Sequence, residues 1–150
     1  MSDTSIMEII HQRLGDRINE FLVPPPVFKA MQGEFLTFDQ EAGILQTRFP
    51  VLEIFLNPYG SMQGGMVAAA VDNTLGPLGM LVAPPNVTRR LEMKYSHPVT
   101  LDLEFITVQA RLLDRDGRWL FFTAEVRDQA GGILARAKAT HWILEDDLED

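Results

Sequence analysis

The stretch LNPYGSMQGGMVAAAVDNTLGPLG, residues 56–79, decides how this chain folds. Gly64 and Gly65 open a run that stays apolar or small except at Asp72, Asn73 and Thr74. The run over 62–83 predicts a long helix, and because its apolar residues occupy the whole circumference, every side has to be covered. About 20 apolar residues is also the length of a membrane span. Asp72 argues against one, since a charge near a bilayer centre costs at least ~2.5 kcal/mol. Gly76, Pro77 and Gly79 break the second half, and no second span follows. The reading is a buried helix in a soluble domain, with one ionisable group, Asp72, where its neighbours argue for burial.

The flanking sequence supplies what covers such a helix. Residues 4–22 place Ile6, Ile9, Ile10, Leu14, Ile18 and Phe21 at three-four spacing, an amphipathic helix that Pro24, Pro25 and Pro26 stop. Two short strands are expected around EFLTF and GILQTRFPV, joined by the turn-like DQEAG. After the breaker APPN the period becomes two. In RRLEMKYSHPV, Leu91, Met93, Tyr95, His97 and Val99 share one face while Arg90, Glu92 and Lys94 take the other. LDLEFITVQARLLD changes apolar phase between Phe105 and Ile106, which predicts a bulge or a change of environment there. RWLFFTAEVRD and ILARAKATHWIL follow across short Gly-containing turns, as in an antiparallel meander. The order is helix, two strands, long helix, four strands. It predicts an α+β fold in which one antiparallel sheet of about six strands wraps the apolar helix. Residues 1–150 read as a single domain, with an N-terminal helix and Pro-rich turn over 1–26 and a solvated acidic tail over 145–150. Such a sheet leaves edges, so an oligomer is expected.

Composition narrows the function. Asp and Glu number 21 against 13 Lys and Arg, a formal net charge of −8. A nucleic-acid binder needs a basic face to neutralise phosphates, so that class is set aside. With no cysteine, disulfides, thiolate metal sites and a Cys nucleophile are excluded. The N-terminus has no signal-peptide pattern, and a cytoplasmic location is the expectation. His11, His97 and His141 lie far apart without metal-ligand spacing and read as surface or core side chains.

The spacing of Asn57, Gly60, Gln63, Gly64, Gly65 and Asp72 resembles the hotdog-fold acyl-CoA thioesterases, in the subgroup typified by phenylacetate-pathway thioesterases within the 4-hydroxybenzoyl-CoA thioesterase superfamily. The signature there is Asn-x-x-Gly-x-x-His-Gly-Gly, then an Asp seven residues after the second Gly. Here it reads NPYGSMQGG and MVAAAVD. TRRLEMKYSHPV is similar to the strand after the central helix, where Thr or Ser, Leu, Tyr and Pro recur. The likeness covers about residues 30–144. One position departs from it: Gln63 stands where the family has His.

The resemblance implies a hotdog fold and hydrolysis of an acyl-CoA or acyl-carrier thioester, without metal or redox cofactor, coenzyme A entering only as part of the substrate. It also implies a homodimer or homotetramer, with the Gly-Gly loop of one subunit facing the Asp of the other. The chemistry explains why such residues belong together. The thioester carbonyl becomes an oxyanion, and free N–H groups at a helix N-terminus stabilise it. Glycines there let the substrate approach. Removing one such donor from an enzyme costs about 10²–10³ in rate. Gly64 and Gly65 are the candidate donors. Asp72 is the candidate general base for water, or alternatively the direct nucleophile. Asn57 corresponds to the Asn that positions water or thioester, its alternative being to brace the loop. Gln63 hydrogen-bonds but carries no proton. Thr88 stands where relatives carry a Ser or Thr that contacts the attacking water, yet its parity with Arg90, Glu92 and Lys94 puts it off the helix-facing side unless the strand start is irregular. Arg89 and Arg90 are candidates for coenzyme A phosphates, Met66 for the acyl tunnel, and His97 for the pocket mouth. A hotdog hydratase is set aside, because those enzymes carry a catalytic His near the helix. A non-catalytic acyl-CoA or acyl-carrier binding protein remains the alternative.

Overall fold

The computed structural model describes residues 3–144, so the acidic segment 145–150 lies outside the described residues. The first helix, α1 (Asp3–Leu14), is shorter than the sequence predicts. Gly15 takes a left-handed φ of 55°, which ends the α-helical ladder and passes the chain into a 3-10 segment, Gly15–Glu20. Pro26 then stands at the first position of a short second helix, α2 (Pro26–Ala30), which the sequence reading missed.

The strands are β1 (Glu34–Asp39), β2 (Ile44–Pro50), β3 (Asn86–Tyr95), β4 (Phe105–Asp116), β5 (Trp119–Arg127) and β6 (Ile133–Ile143). They form one six-stranded antiparallel sheet in the order β1-β2-β4-β5-β6-β3. The long helix, α3 (Gly64–Val82), packs on one face of it. Alternation along each strand supplies that face: Leu45 and Phe49 from β2, Ile106 and Val108 from β4, Leu120 and Phe122 from β5, all buried. Ala135, Ala137 and Ala139 of β6 are buried as well. Ile6 and Ile10 of α1 join the same core, and Arg13 Nε ties α1 to α3 by donating to the Met80 carbonyl at 2.9 Å. Two hydroxyls are buried between α3 and β2. Thr74 donates to the Ala70 carbonyl at 2.9 Å, so Thr47 supplies the proton for the 2.7 Å contact between the two threonines.

Three expectations are corrected. The phase change before β4 is not a bulge but a 3-10 turn, Leu101–Leu103, followed by Glu104 at φ 64°, and the strand starts cleanly at Phe105. The register shift of β4 comes later, between Leu112 and Asp114. The sheet also does not cover α3 on every side. Gly65 and Asp72 are exposed, and Ala68 and Gly76 only half-buried, so a stripe at three-four spacing stays open. Asp72 is therefore not buried within the chain, because its side of the helix faces past β3, the last strand of the sheet.

Candidate functional site

The loop before α3 is held tightly. Asn57 Oδ1 accepts from the N–H groups of Tyr59 at 2.9 Å and Ser61 at 3.1 Å, and from the Ser61 hydroxyl at 3.3 Å. Gly60 allows the turn with a φ of 81°. Met62 N–H donates to the Val99 carbonyl at 2.7 Å and Gln63 N–H to the Phe55 carbonyl at 2.8 Å, which fixes the entry into the helix. Asn57 thus braces its own loop through its oxygen.

Gln63 is the N-cap residue of α3, in an extended conformation and without a side-chain cap bond. Its carbonyl accepts from Met66 and Val67. Neither the Gly64 nor the Gly65 N–H has a hydrogen-bond partner among the described residues. A Ser or Asp cap would occupy one of these donors; Gln63 leaves both free at the positive end of a 19-residue helix. Tyr95 secures this turn from β3, its hydroxyl donating to the Gly64 carbonyl at 2.6 Å. Burial pushes the Tyr95 phenol up from its ordinary pKa, which keeps it a proton donor.

The two glycines differ in what they are for. A Cβ on Gly64 would stand 3.3 Å from the Tyr95 ring, whereas one on Gly65 would meet nothing within 4 Å. No packing inside the chain explains why Gly65 is bare. Gly65→Ala is therefore expected to keep or raise the melting temperature, by up to about 1 kcal/mol of helix propensity. It should reduce turnover of a substrate that approaches that N–H. Parallel melting curves and thiol-release assays check both halves, and unchanged turnover would remove Gly65 from the site.

Beside this turn lies a cleft of about 300 Å³, lined by Met62, Gly64, Val67, Tyr95, His97 and Leu134 among others. His97 is exposed at its rim, its backbone N–H held by the Leu134 carbonyl at 3.1 Å. Met66 is partly buried against the core, on the same first turn as the glycines.

Asp72 is engaged two turns further along. Thr88 Oγ1 donates to Asp72 Oδ1 at 2.8 Å. The strand start is irregular, the condition under which parity does not hold: the β3–β6 register shifts between Thr88 and Arg90, and Thr88 turns towards α3 while Arg90 stays outward. Arg89 lies over the Trp142 ring at 5.8 Å, and Arg90 pairs with Glu92 at 2.6 Å, both on the exposed edge strand.

Two further residues complete this end, and the sequence reading had not placed them there. His141 Nε2 lies 3.2 Å from Thr88 Oγ1, and its Nδ1 lies 2.7 Å from Asn86 Oδ1. The Asn86 amide donates to the carbonyls of Pro84 at 2.8 Å and Gly79 at 3.1 Å. Gly79 permits this close approach, since a Cβ there would stand 2.5 Å from Asn86 Oδ1. His141 is only 1% exposed and packs on Phe122, with ring centroids 4.6 Å apart. Burial lowers its pKa from the ordinary imidazole value, and the Asp72 carboxylate opposes that shift. The signal was in the sequence: His141 continues the inward parity of Ala135, Ala137 and Ala139.

The structure thus gathers these residues into two separate clusters. Gln63, Gly64, Gly65 and the Asn57 loop form one, and Asp72, Thr88 and His141 the other. Gly64 and Asp72 are eight residues apart on one helix, so the clusters stand about 12 Å apart along its axis. One thioester cannot meet both in a single chain. Among the described residues, no group of His, Asp and Glu is arranged to hold a metal ion.

A six-stranded antiparallel sheet packed on one long central helix is the hotdog fold. Several of the solved structures it resembles are named as candidate thioesterases. A phenylacetic acid degradation-related protein and candidate thioesterase from Ralstonia eutropha JMP134 is 27% identical, with 90% of this chain and 98% of that one covered and a TM-score of 0.76. A Streptococcus mutans UA159 protein, solved bound to acetyl CoA, is 17% identical over 87% of this chain and 98% of its own, with a TM-score of 0.71. A hypothetical thioesterase from Streptococcus pneumoniae TIGR4 was solved as a Thr→Ala and as an Asp→Ala variant. These are 16% and 17% identical, each over 76% of this chain and 91% and 92% of theirs, with TM-scores of 0.70 and 0.69. No protein-family profile and no curated sequence matches the chain. The chain is a hotdog protein resembling the thioesterases of the phenylacetic acid degradation group.

Proposed function

We propose that this protein hydrolyses an acyl-CoA or acyl-carrier thioester at a site shared by two copies of the chain. The supporting observation is the way β3 joins the two clusters. Its start is tied to Asp72 by Thr88 at 2.8 Å, and its end is tied to Gly64 by Tyr95 at 2.6 Å. β3 is also an edge strand, paired only with β6. Antiparallel pairing of β3 with a second copy sets the start of one strand beside the end of the other. Asp72 of one chain then faces Gly64 and Gly65 of its partner, and the open stripe of α3 is covered. A homodimer is the smallest assembly with complete sites, and a tetramer would be two of these.

In that site the acyl carbonyl points its oxygen at the free N–H groups of Gly64 and Gly65. Asp72, oriented by the Thr88 hydroxyl, takes a proton from a water bound at its carboxylate, and the water oxygen attacks the carbonyl carbon. The oxyanion collapses, the C–S bond breaks, and the thiolate leaves with a proton. Gln63 and Asn57 line the approach as hydrogen-bonding groups, Arg89 and Arg90 offer charge to phosphates outside, and Met66 and the cleft by His97 receive apolar parts of the substrate. No metal or redox cofactor is needed, and a cytoplasmic acyl-CoA pool would supply the substrate.

The alternative, a binding protein without turnover, draws on one observation: Gln63 cannot carry a proton. A panel of acyl-CoA and acyl-carrier thioesters, read by release of free thiol, separates the two. Catalytic release from at least one is expected. Tight binding without release by both wild type and Gln63→His would establish the binding protein instead. Gln63→His is expected to preserve or raise turnover, because the backbone that presents position 63 already fits the glycine turn. A folded Gln63→His variant without activity would show Gln63 to be a specific requirement.

A further inference from the structure

We propose that buried His141 is a positioning residue of this site, acting on Asp72 through the Thr88 hydroxyl and holding the proton that Asp72 takes from water. The proposal rests on the hydrolase reading above. It follows from counting protons along Asn86, His141, Thr88 and Asp72. The Asn86 amide nitrogen is committed to the Gly79 and Pro84 carbonyls, so its oxygen faces His141 Nδ1 and must accept from it. A neutral His141 therefore carries its proton on Nδ1 and turns a bare Nε2 towards Thr88 Oγ1 at 3.2 Å. The Thr88 hydroxyl has one proton for two acceptors, Nε2 and the Asp72 carboxylate at 2.8 Å. The resting chain is one proton short.

Catalysis supplies that proton. When Asp72 accepts it from the attacking water, the carboxylic acid can donate to Thr88 Oγ1 while the Thr88 hydroxyl proton passes to Nε2. Asp72 is a carboxylate again, Thr88 has exchanged one proton for another, and His141 is an imidazolium with both nitrogens donating. The reverse shift returns the proton for the departing thiolate, so atoms and charge balance over the cycle. Gln63 has no such capacity, and His141 supplies it from the opposite side of Asp72. Asp72 on α3 is the charged group acting on His141. β3 presents Thr88 and Asn86 to it, and β5 presents Leu120 and Phe122, none of which titrates. Burial favours the neutral form and keeps the acceptor empty near neutral pH.

The sign of the pH effect follows. Neutral His141 is the accepting form, so turnover rises with pH through its titration, below the ordinary imidazole range, and is level above it. His141→Gln keeps a hydrogen-bonding group of similar size but does not titrate. It is expected to lower kcat about tenfold, to leave KM unchanged because position 141 touches no substrate, and to lose the limb that His141 imposes, leaving only the requirement for an ionised Asp72. Thr88→Val should lose that limb too, and Thr88→Ser should retain it. Nitrogen-15 NMR of His141 in the wild-type protein tests the chain without substrate. The neutral ring should carry its proton on Nδ1, and Asp72→Asn should move the titration midpoint lower. A neutral ring protonated on Nε2, or a wild-type pH profile in His141→Gln or Thr88→Val, would overturn the relay. A wild-type protein inert on every thioester would instead overturn the hydrolase reading and the relay with it.

Discussion

Asp72→Asn is expected to lower kcat by about 10²-fold or more, the scale for losing a general base, with the melting temperature nearly unchanged. Asn keeps the shape of Asp and still accepts from Thr88, but it takes no proton from water. The structural side of the expectation comes from position. Within one chain Asp72 is exposed on the open stripe of α3, and among the described residues its hydrogen-bond partner is the Thr88 hydroxyl at 2.8 Å. Substitutions at such surface sites change stability by about 0.5 kcal/mol or less, and Asp72→Ala adds helix propensity in its favour. Loss of turnover together with retained stability identifies a carboxylate kept for chemistry. A marked fall in the melting temperature of Asp72→Ala would identify a structural one, and wild-type turnover in Asp72→Asn would remove it as the base.

The largest gain of activity is expected from mixing two inactive proteins. Gly64→Pro removes one candidate oxyanion donor and suits the backbone. Gly64 is the first residue of α3, where Pro is favoured, and Gln63 before it has φ −56° and ψ 138°, the region that a following Pro requires. The Tyr95 ring, 3.3 Å from a Cβ there, must yield by a few tenths of an ångström. Alone, this variant should lose about 10²–10³ in rate. Co-expressed in equal amounts with Asp72→Asn, it should recover about a quarter of wild-type activity, since half of the dimers are mixed and each mixed dimer holds one intact site of two. A site contained within one chain cannot be rescued in this way. Folded partners that stay at their separate residual rates, or a monomer by light scattering at micromolar concentration, would exclude the shared site.

Much of the fold was legible because period and breakers are local properties. The Gly-Gly start of α3, the alternation of β5 and β6, and the Gly turns between strands each follow from a few neighbouring residues. The misreadings fell where one backbone angle outweighed a pattern. Gly15 at φ 55° cut the first helix short, and Glu104 at φ 64° produced the phase change before β4. For Thr88 the outcome hung on whether the strand start is irregular, which parity cannot decide because it counts residues and does not detect the register shift that turns Thr88 towards Asp72.

The sequence by itself determined the element order, the glycine turn that frees two N–H groups, and the presence of a single carboxylate on an otherwise apolar helix. These are set by residue type and spacing along the chain, where sterics and hydrophobic periodicity act over a few residues. Tertiary structure alone decided that Asp72 is open rather than buried within the chain, and that Thr88 and His141 are its companions. Those outcomes depend on which strand ends the sheet and on contacts between residues 16 and 53 positions apart. Such contacts arise only when the edge strand β3 is laid against both β6 and α3, and no local pattern encodes that distance.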